Sequence, residues 1–413
     1  MRMMLIVLCF MSLMGCTEEL SGRTGEGLQD ADSGATQDTS DPSDSSDAVD
    51  DTMPEDTFAD SESGIENGSD SGADNDSDAD ADSDADADSD VDSDSGTEDS
   101  DTATPACPLT ASGPVIAAAN GQVIENLRII ASGTPGITVS GYSDVVIRNV
   151  EILHNQSKGI EFNNADGLVI EDVSIENAGA PAQGANSDSG QNNIQGNSSD
   201  NVQITRVRLS RGSSGVYLVG CASPHLQFIE GYDFRGPMPR GQLVQFNNSP
   251  DCILEDFSVV NPQDSSWPED NVSVYDSDNC IIRRGLIDGN NAPHGVGVMV
   301  EFDHTGDNGL IADVDAVRTG NGCFFGYPAY GVTFERTRCR DNICTDQGRG
   351  EPSSGGQGWV AGEDASIAVV DSTYWNLCSG IHWHAADAEF TTLELESQDF
   401  TLRSAVVNDF CWE

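Results

Sequence analysis

Lysine is almost absent from this sequence, and basic residues of either kind are scarce. The 413 residues contain one lysine, Lys158, and 18 Lys plus Arg against 71 Asp plus Glu, a formal net charge of −53. Nucleic-acid binding needs clustered cations that displace the counter-ions of the phosphates. The composition therefore argues against a nucleic-acid partner, and any lysine-based chemistry has a single candidate residue.

Three further patterns are missing. No apolar run is long enough to span a bilayer as a permanent helix, since the run that begins the chain, MRMMLIVLCFMSLMGC, stops at residue 16. No Cys-x-x-Cys pair stands at zinc spacing from histidines, so a structural zinc is not expected. No segment of useful length has a helical period, which leaves strands as the regular structure.

The first 16 residues resemble the signal peptide of a bacterial lipoprotein. Leu13-Met14-Gly15-Cys16 occupies the place of the lipobox, although Met14 is larger than the usual residue. The resemblance implies that residues 1–15 are cleaved, that Cys16 is lipidated and, because Thr17 follows, that the protein is anchored to an outer membrane by its lipid. An ordinary secretory signal with a coincidental cysteine is the alternative.

The next segment, residues 16–106, is dominated by Asp, Ser, Ala, Gly and Thr. Residues 17 to 105 contain 31 acidic residues and one basic residue, Arg23. Such a chain cannot bury enough apolar area to offset its backbone entropy, and its charges repel one another. We expect a disordered, solvated tether. Its Asp repeats lack the glycine of an EF-hand-like loop, so loose counter-ion condensation is expected there rather than specific calcium sites.

Residues 107–413 carry an eight-residue phrase that recurs about every 23 to 35 residues. It reads VVIRNVEI at 145, LVIEDVSI at 168, VQITRVRL at 202 and CILEDFSV at 252, with apolar residues at the first, third, sixth and eighth places. Less faithful copies begin near Leu226, Gly309, Ile367 and Phe390. Before each copy stands a shorter alternating stretch, such as GIEFNNADG at 159, which ends in turn-forming residues. A polar pair inside the phrase breaks the alternation and predicts a bend between two strands.

Three short strands per repeat and about ten repeats predict an all-β fold, a right-handed parallel β-helix. The patterns xVIxxVxI and GIxFxNSxD resemble the pectin-lyase-type superfamily over most of residues 115 to 400. The catalytic motifs of its members are missing, including WIDH, NTD, GHG, RIK and DPHD. The resemblance therefore implies the fold and leaves the activity open. The segments PLTASGPVIAAANG and AVVNDFCWE are the candidates for capping the two ends.

Nine cysteines remain after Cys9 and Cys16 are set aside, in a compartment where disulfides persist. The odd number leaves one thiol free or paired elsewhere. Cys252 and Cys280 occupy the same place in successive repeats, so they either form a disulfide or stack as buried thiols. Cys339 and Cys344 are the predicted local pair. Cys107 and Cys411 stand at opposite ends of the domain, too far apart to join in a straight solenoid.

Long insertions follow Ile175, Val259 and Cys339, always before the short alternating stretch, so we look for the site on that strand's outer face. Polar amides beside exposed aromatic rings suit a sugar ligand, and an ordinary solvent face with amide ladders is the alternative. The candidate substrate-binding residues are Asn247, Tyr275, Phe325, Tyr327, His382 and His384.

Acidic groups gather on the same coils and suggest two kinds of chemistry. Two carboxyls can act as acid and base in glycoside hydrolysis, or several can hold calcium for a uronate lyase or epimerase. The catalytic candidates are Glu301, Asp270, Asp303, Tyr275 and His304. The calcium candidates are Asp270, Asp276 and Asp278, and no other cofactor is implied. Asp264 and Glu269 lie on the same coil.

Three functions fit these observations. The first is a surface-tethered protein that processes polysaccharide as a lyase, hydrolase or epimerase. The second is an adhesin that binds a cell-surface glycan in the same groove without chemistry, and the third is a structural surface rod. The lipid anchor is the expected membrane contact in all three, and the sequence does not specify an oligomeric state.

Overall fold

A computed structural model describes the folded part of the chain. The described residues are 107–180, 190–236, 240–263, 268–290, 292, 294–301, 308–344, 356–362, 365–378, 382–383, 389–391, 393–395 and 401–413. The predicted signal peptide, the lipidation site Cys16 and the acidic tether lie outside them. Within these ranges the regular structure is entirely β, and no helix long and apolar enough to cross a membrane is found there.

The described residues form 26 short strands. In chain order they are β1 Thr110–Ser112, β2 Val115–Ile116, β3 Val123–Ser132, β4 Ile137–Ser140, β5 Val146–Asn155, β6 Ile160–Asn163, β7 Val169–Asn177, β8 Ile194–Asn197, β9 Gln203–Ser210, β10 Val216–Val219, β11 His225–Tyr232, β12 Val244–Asn247, β13 Ile253–Val260, β14 Asp270–Tyr275, β15 Ile281–Asn290, β16 Val296–Glu301, β17 Leu310–Thr319, β18 Gly322–Gly326, β19 Tyr330–Glu335, β20 Arg338–Arg340, β21 Gln357–Ala361, β22 Ser366–Val370, β23 Ser372–Trp375, β24 His382–Trp383, β25 Glu389–Phe390 and β26 Leu393–Leu395.

The strands form two parallel sheets that the chain visits alternately. Sheet A has the path β1-β3-β5-β7-β9-β11-β13-β15-β17-β19-β22-β25, with β20, β23 and β26 joined at its side. Sheet B has the path β2-β4-β6-β8-β10-β12-β14-β16-β18-β21-β24. Each strand pairs with the equivalent strand of the next coil, which confirms the predicted parallel β-helix.

The recurring phrase sets the interior of the solenoid. Ile147 pairs with Ile170, which pairs with Ile204, and Leu254 lies in the same column two coils further on. All four side chains are fully buried. Each coil contributes one inward-pointing residue to this column, because parallel strands in register place equivalent side chains directly above one another. The predicted common interior is confirmed.

A left-handed residue bends each long strand of sheet A into two halves. This residue is the second member of the polar pair inside the phrase, as in Asn149 (φ 49°), Asp172 (φ 53°) and Asp256 (φ 53°). Asn and Asp tolerate this conformation because their side chains bond to nearby backbone. The bend is the break in alternation that the sequence predicts, and the two halves are the second and third strands of the coil.

Eight coils are regular, slightly fewer than the ten that the sequence predicts. Strands β3 to β17 of sheet A run without interruption for 8 to 10 residues each. In the last coils the same path divides into shorter strands such as β19 and β20, of 6 and 3 residues. The weaker copies of the phrase near Ile367 and Phe390 fall in this irregular part.

The core also contains a polar pair that the sequence pattern does not reveal. His154 is fully buried, its Nδ1 donates to the carbonyl of Ser157 (2.9 Å), and its Nε2 accepts from the amide of Asn193 (3.1 Å). The same Asn193 amide also contacts the carbonyl of Ser210 at 3.1 Å. Burial lowers the pKa of His154 to about 4, so the imidazole is neutral at physiological pH.

The disulfides decide one predicted pairing and correct another. Cys252 bonds to Cys280 across one coil, so these two residues form a disulfide and are not stacked thiols. The predicted pair Cys339 and Cys344 is wrong, because Cys339 bonds to Cys323 and Cys344 bonds to Cys378. Cys344 and Cys378 follow paired strands of successive coils, whereas Cys323 and Cys339 join β18 of sheet B to β20 of sheet A, so proximity along the chain does not select the partner. Cys221 is the one free thiol among the described cysteines and is buried.

Cys107 and Cys411 are also bonded, with 304 residues between them and Cα atoms 5.6 Å apart. The prediction that they are too far apart is wrong because the last residues do not cap the far end. Residues 401–413, the C-terminal strap, run back along the outside of sheet A. Arg403 pairs with Asp315 on β17, Asn408 bonds to coils β9 and β11, and Cys411 reaches the start of the domain.

The bend predicts a clear contrast at Asn149. We expect Asn149→Val to lower the free energy of unfolding by about 1 to 2 kcal/mol, since a β-branched residue resists the left-handed conformation. Asn149→Gly is the control and should change stability by less, because glycine adopts this conformation freely. Urea unfolding followed by circular dichroism measures both. Equal losses in the two variants would contradict the assignment of the cost to backbone conformation.

Because His154 is buried in its neutral form, we expect the protein to lose stability in acid. Its pKa is about 4 in the fold and about 6.5 when exposed, so the unfolded chain binds a proton more readily between these values. Protonation of His154 does not affect the free energy of unfolding above about pH 6.5, and it lowers that free energy by about 3 kcal/mol as the pH drops to about 4. The measurement compares the pH dependence of urea unfolding in the wild type and in His154→Gln. An equally steep acid loss in the variant would refute the role of His154.

Candidate functional site

The outer face of sheet B carries the predicted polar column. Asn163 pairs in register with Asn197, and Asn247 pairs with Tyr275, which pairs with Glu301. Val219 occupies the place between Asn197 and Asn247, in a coil that the polar pattern of the sequence does not mark. The predicted residues therefore do lie along one face, interrupted by one apolar side chain.

The parallel outer column, two residues earlier in each strand, changes character along the rod. Its members are Thr138, Glu161, Gln195, Tyr217, Gln245, Ser273, Met299, Phe325 and Val360. It is polar at first and apolar from Met299 onward. A ligand that lies along this face would meet hydroxyls and amides first and apolar groups later.

The two aromatic residues predicted at the apolar end of this face, Tyr327 and Phe325, differ in exposure. Tyr327 is 39% exposed, as expected of a surface ring. Phe325 is only 6% exposed and packs with Val296, Val360 and Met299, so its predicted role as an exposed stacking ring is wrong. The physical reason is the apolar column itself, because neighbouring apolar side chains on successive coils cover one another.

Asp270 is the most perturbed acid on this face. It begins β14, is 4% exposed, and its Oδ1 accepts a hydrogen bond from the backbone nitrogen of Val296 at 3.3 Å. Burial raises the pKa of Asp270 well above its ordinary value, and the charges of Glu269 and Glu301 raise it further. The predicted acids Asp270 and Glu301 are therefore within electrostatic reach of each other.

Glu269 completes this group of three carboxyls. It is half-buried, and its carboxylate accepts from the amide of Gln242 at 3.2 Å. Burial raises the pKa of Glu269, while Arg240 and Gln242 oppose the rise by favouring the charged form. The Arg240 guanidinium lies over the ring of Tyr217, 4.3 Å from its centre. The acid cluster, defined as Glu269, Asp270 and Glu301, therefore has a cation and an aromatic ring beside it.

A ladder of buried amides and hydroxyls supports the cluster from behind. Asn192 Oδ1 accepts from the backbone nitrogen of Ser214, the Ser214 hydroxyl donates to Gln242 (2.9 Å), and Gln242 donates to Glu269. These side chains stand at the entry to sheet B in successive coils. Because the first two links are buried and the third is partly buried, the ladder fixes the orientation of the Gln242 amide toward Glu269.

The predicted calcium ligands do not converge. Asp270 begins β14, whereas Asp276 comes directly after its last residue and has a left-handed backbone (φ 46°). Six residues of extended strand separate the two Cα atoms by about 20 Å, far more than one ion can bridge. Asp278 lies beyond the same turn. Among the described residues no three His, Cys, Asp or Glu side chains are placed to hold a metal ion.

The same strand separates Asp270 from Tyr275. Tyr275 ends β14, about 16 Å from the Cα of Asp270, so these two catalytic candidates belong to different parts of the face. Tyr275 instead lies beside Glu301 on the next coil. Of the predicted catalytic set, Tyr275 and Glu301 lie side by side at the ends of β14 and β16, and the charge of Glu301 acts on Asp270 from the other end of the strand.

Several predicted residues cannot be placed in this site. Asp303, His304, His384 and Asp264 lie outside the described residues. The backbone of His382 is described, and it pairs with the core residue Trp359, so the neighbouring Trp383 holds the register position of the outer column instead. The column assignment of His382 is off by one residue, because the last coils are irregular and the alternation there is short.

A second feature lies on the N-terminal coils of the same face. A depression of about 210 Å³ is lined by Thr138, Val139, Ser140, Glu161, Phe162, Asn163 and Asn197. Lys158 donates to Glu161 at its margin (2.7 Å). Hydroxyl, amide and charged groups around one concave surface suit a ligand rich in hydroxyls.

Sequence reasoning missed Tyr217, Arg240 and Gln242. Tyr217 was missed because its coil, GVYLVG, lacks the asparagine that marks the other coils. Arg240 and Gln242 stand in the connection before β12, where no alternation exists to orient them. The one available signal was the scarcity of basic residues, which makes any arginine beside the sheet B strands notable.

Comparison with known proteins agrees with this architecture. Residues 93–199 match the family described as right-handed β-helix region. The match covers part of the chain, and the two parallel sheets show the same fold, a right-handed parallel β-helix, over the described coils. No curated protein matches the sequence significantly.

Three solved structures are similar in fold. The Dettilon tailspike protein shares 8% identity, with 70% of this chain and 61% of that chain covered and a TM-score of 0.49. A hyperthermoactive exopolygalacturonase from Thermotoga maritima shares 10% identity over 70% and 83%, with a TM-score of 0.45. The Streptococcus pneumoniae surface protein and adhesin PfbA shares 10% over 66% and 77%, with a TM-score of 0.40. The chain spans less than two thirds of the tailspike's length.

The raised pKa of Asp270 predicts that this residue destabilises the fold in neutral and alkaline solution. A carboxyl whose pKa is higher in the fold than in the unfolded chain contributes stability at low pH that is lost as the pH rises through the folded pKa. We therefore expect Asp270→Asn to increase the free energy of unfolding at about pH 8 and to change it little at about pH 3. Urea unfolding at the two pH values is the measurement, and a variant less stable at both would contradict the prediction.

Proposed function

We propose that this protein binds polysaccharide along the outer face of sheet B and cleaves it at the acid cluster. The observation that supports this most strongly is the group of three carboxyls at the middle of that face, two of which have pKa values raised by burial. Groups shifted in this way are the ones that exchange protons with a substrate near neutral pH. The predicted lipid anchor and tether would hold the rod outside an outer membrane.

The face has the groups that a sugar chain requires. Tyr217 offers a ring on which the apolar side of a sugar can stack, and Gln245 and Asn247 on the next strand offer amides for its hydroxyls. Coils repeat about every 4.8 Å, similar to the rise of a polysaccharide per residue, so successive sugars can meet successive coils. The depression around Glu161 and Asn197 extends the same face toward the N-terminal coils.

One carboxyl of the cluster, that of Glu269, is placed to exchange a proton with a sugar bound beside Arg240 and Tyr217. Glu269 and Glu301 are half-buried and reach the surface, whereas Asp270 is buried. Glu269, whose pKa is raised, holds its proton to higher pH and donates it to the glycosidic oxygen. The attacking water releases its proton to solvent, while Glu301, at the other end of the strand, raises the pKa of Asp270 through its charge and Asp270 is a positioning residue beside Glu269.

Hydrolysis fits this arrangement better than β-elimination. An elimination enzyme neutralises the carboxylate of a uronate with cations. Among the described residues, Arg240 is the cation beside the cluster, and its charge already acts on Glu269. A cluster with three acids and one engaged arginine repels an anionic sugar. We therefore assign the proposed reaction to glycoside hydrolysis, with lyase and epimerase activity as the alternatives that the assay separates.

The test is a panel of neutral and uronate-containing polysaccharides incubated with the chain from Cys16 onward. We expect new reducing ends without the ultraviolet absorbance of unsaturated uronates. Glu269→Gln should reduce the rate by about 100-fold or more, the usual contribution of a general acid, and Glu301→Gln should reduce it less, since its charge acts on Asp270 from the other end of the strand. Glu125→Gln is the control, since it removes an acid from sheet A, where Arg148 is its partner, and leaves the outer face of sheet B unchanged. Activity should fall as the pH rises through the raised pKa of Glu269.

A binding protein without chemistry is the second candidate. It is supported by the extent of the outer columns, which continue over many coils, whereas the acid cluster occupies only two. In that case a glycan array would show affinity that Tyr217→Ala abolishes, while no polysaccharide gives new reducing ends. Full activity in both Glu269→Gln and Glu301→Gln would refute the proposed site, and absence of both affinity and activity would leave the role of a structural rod.

A further inference from the structure

The C-terminal strap is bonded to the outside of several coils of sheet A. Arg403 pairs with the fully buried carboxylate of Asp315 and donates to the carbonyl of Arg336 at 3.0 Å. The backbone nitrogen of Val406 bonds to the hydroxyl of Ser258 at 3.2 Å, and that hydroxyl in turn contacts the carbonyl of Val406. The strap is therefore held on β13, β17 and the turn after β19.

Further along, the strap is held by a buried side chain. Asn408 is 6% exposed, and its amide donates to the carbonyls of Val207 and Phe228, both at 3.1 Å. Its backbone nitrogen also bonds to Glu230, and Arg208 pairs with Glu413. These contacts add β9 and β11 to the coils that the strap touches, before Cys411 joins Cys107.

The first strands, in contrast, are weakly held. Strands β1 and β2 contain 3 and 2 residues, and the side chain of Ile116 is 73% exposed. In the sequence, the acidic segment immediately precedes Cys107. Hydrogen bonds between coils run along the rod axis, so a pull on the chain at this end would break the bonds of one strand at a time.

We propose that the strap and the Cys107–Cys411 disulfide form a bypass that carries tension from the N-terminal segment to the middle of the rod. Force that reaches Cys107 passes to Cys411 and then along the strap. The strap lies parallel to the rod axis, so its contacts on β9, β11, β13 and β17 are sheared together instead of peeled in sequence. The biological use of this device depends on the proposed tethering, because only a tethered rod that holds a ligand is pulled.

The test is single-molecule force spectroscopy on the chain from Cys16 onward. One handle is attached at the N-terminus and the other at Ser366→p-azidophenylalanine, an exposed position at the start of β22. In the disulfide-bonded protein we expect the first unfolding event at a force at least about twofold higher than in the Cys107→Ser, Cys411→Ser double variant. The double variant should unfold from the N-terminal end in steps of about 80 Å, the contour length of a 23-residue coil.

Two further variants make the result interpretable. Asn408→Ala keeps the disulfide and removes the buried side chain that holds the strap on β9 and β11. The force of its first unfolding event should therefore fall between the forces measured for the disulfide-bonded protein and the double variant. Arg284→Gln is the control, since it breaks an exposed ion pair at the bend and leaves the strap contacts intact. The double variant is preferred to a reductant, because it removes this disulfide alone, whereas a reductant would also open the other three.

Equal first-event forces in the disulfide-bonded protein and the double variant would overturn the proposal. Unfolding steps of one coil from the N-terminal end, observed in the disulfide-bonded protein before the strap detaches, would also overturn it. If the double variant fails to fold, Asn408→Ala decides alone, and a first event unchanged from wild type would then overturn it. The measurement needs neither a glycan nor a membrane, so its failure is distinguishable from a failure of the proposed function.

Discussion

The stacking of each coil on the previous one, through parallel strands in strict register, is the constraint on which every other feature depends. Register places Ile147, Ile170 and Ile204 in one interior column, and the same register aligns Asn247, Tyr275 and Glu301 on the outside. A shift by one residue would exchange the two faces. The interior columns supply the apolar burial that opposes such a shift, so the geometry of the site is fixed by side chains that never touch a ligand.

Features that arise from a repeated local pattern were predictable from the sequence. Period-two alternation identified the inward and outward residues of β6, β12 and β14, and the polar pair within the phrase identified the bend at Asn149. These features are local, since each depends on the order of a few residues. Where alternation is short, as at β24, the same reasoning placed His382 one residue from the outer column.

Features that depend on distant parts of the chain were not predictable in this way. The path of residues 401–413 depends on partners such as Asp315 and Ser258, which lie 88 and 148 residues earlier than the strap residues they bond. The burial of Phe325 depends on apolar neighbours contributed by other strands. The electrostatic coupling in the acid cluster likewise joins residues of two coils, and its strength is set by burial that no spacing reveals.

The free thiol of Cys221 gives this solenoid a natural reporter of its own opening. The side chain is fully buried in the interior, and burial raises its pKa to about 11. A thiol with such a pKa is almost entirely protonated and enclosed, and it therefore reacts with alkylating reagents only when its coil separates from the next one. The rate at which an alkylating reagent labels Cys221 in the native protein therefore measures how often the coils in the middle of the solenoid separate.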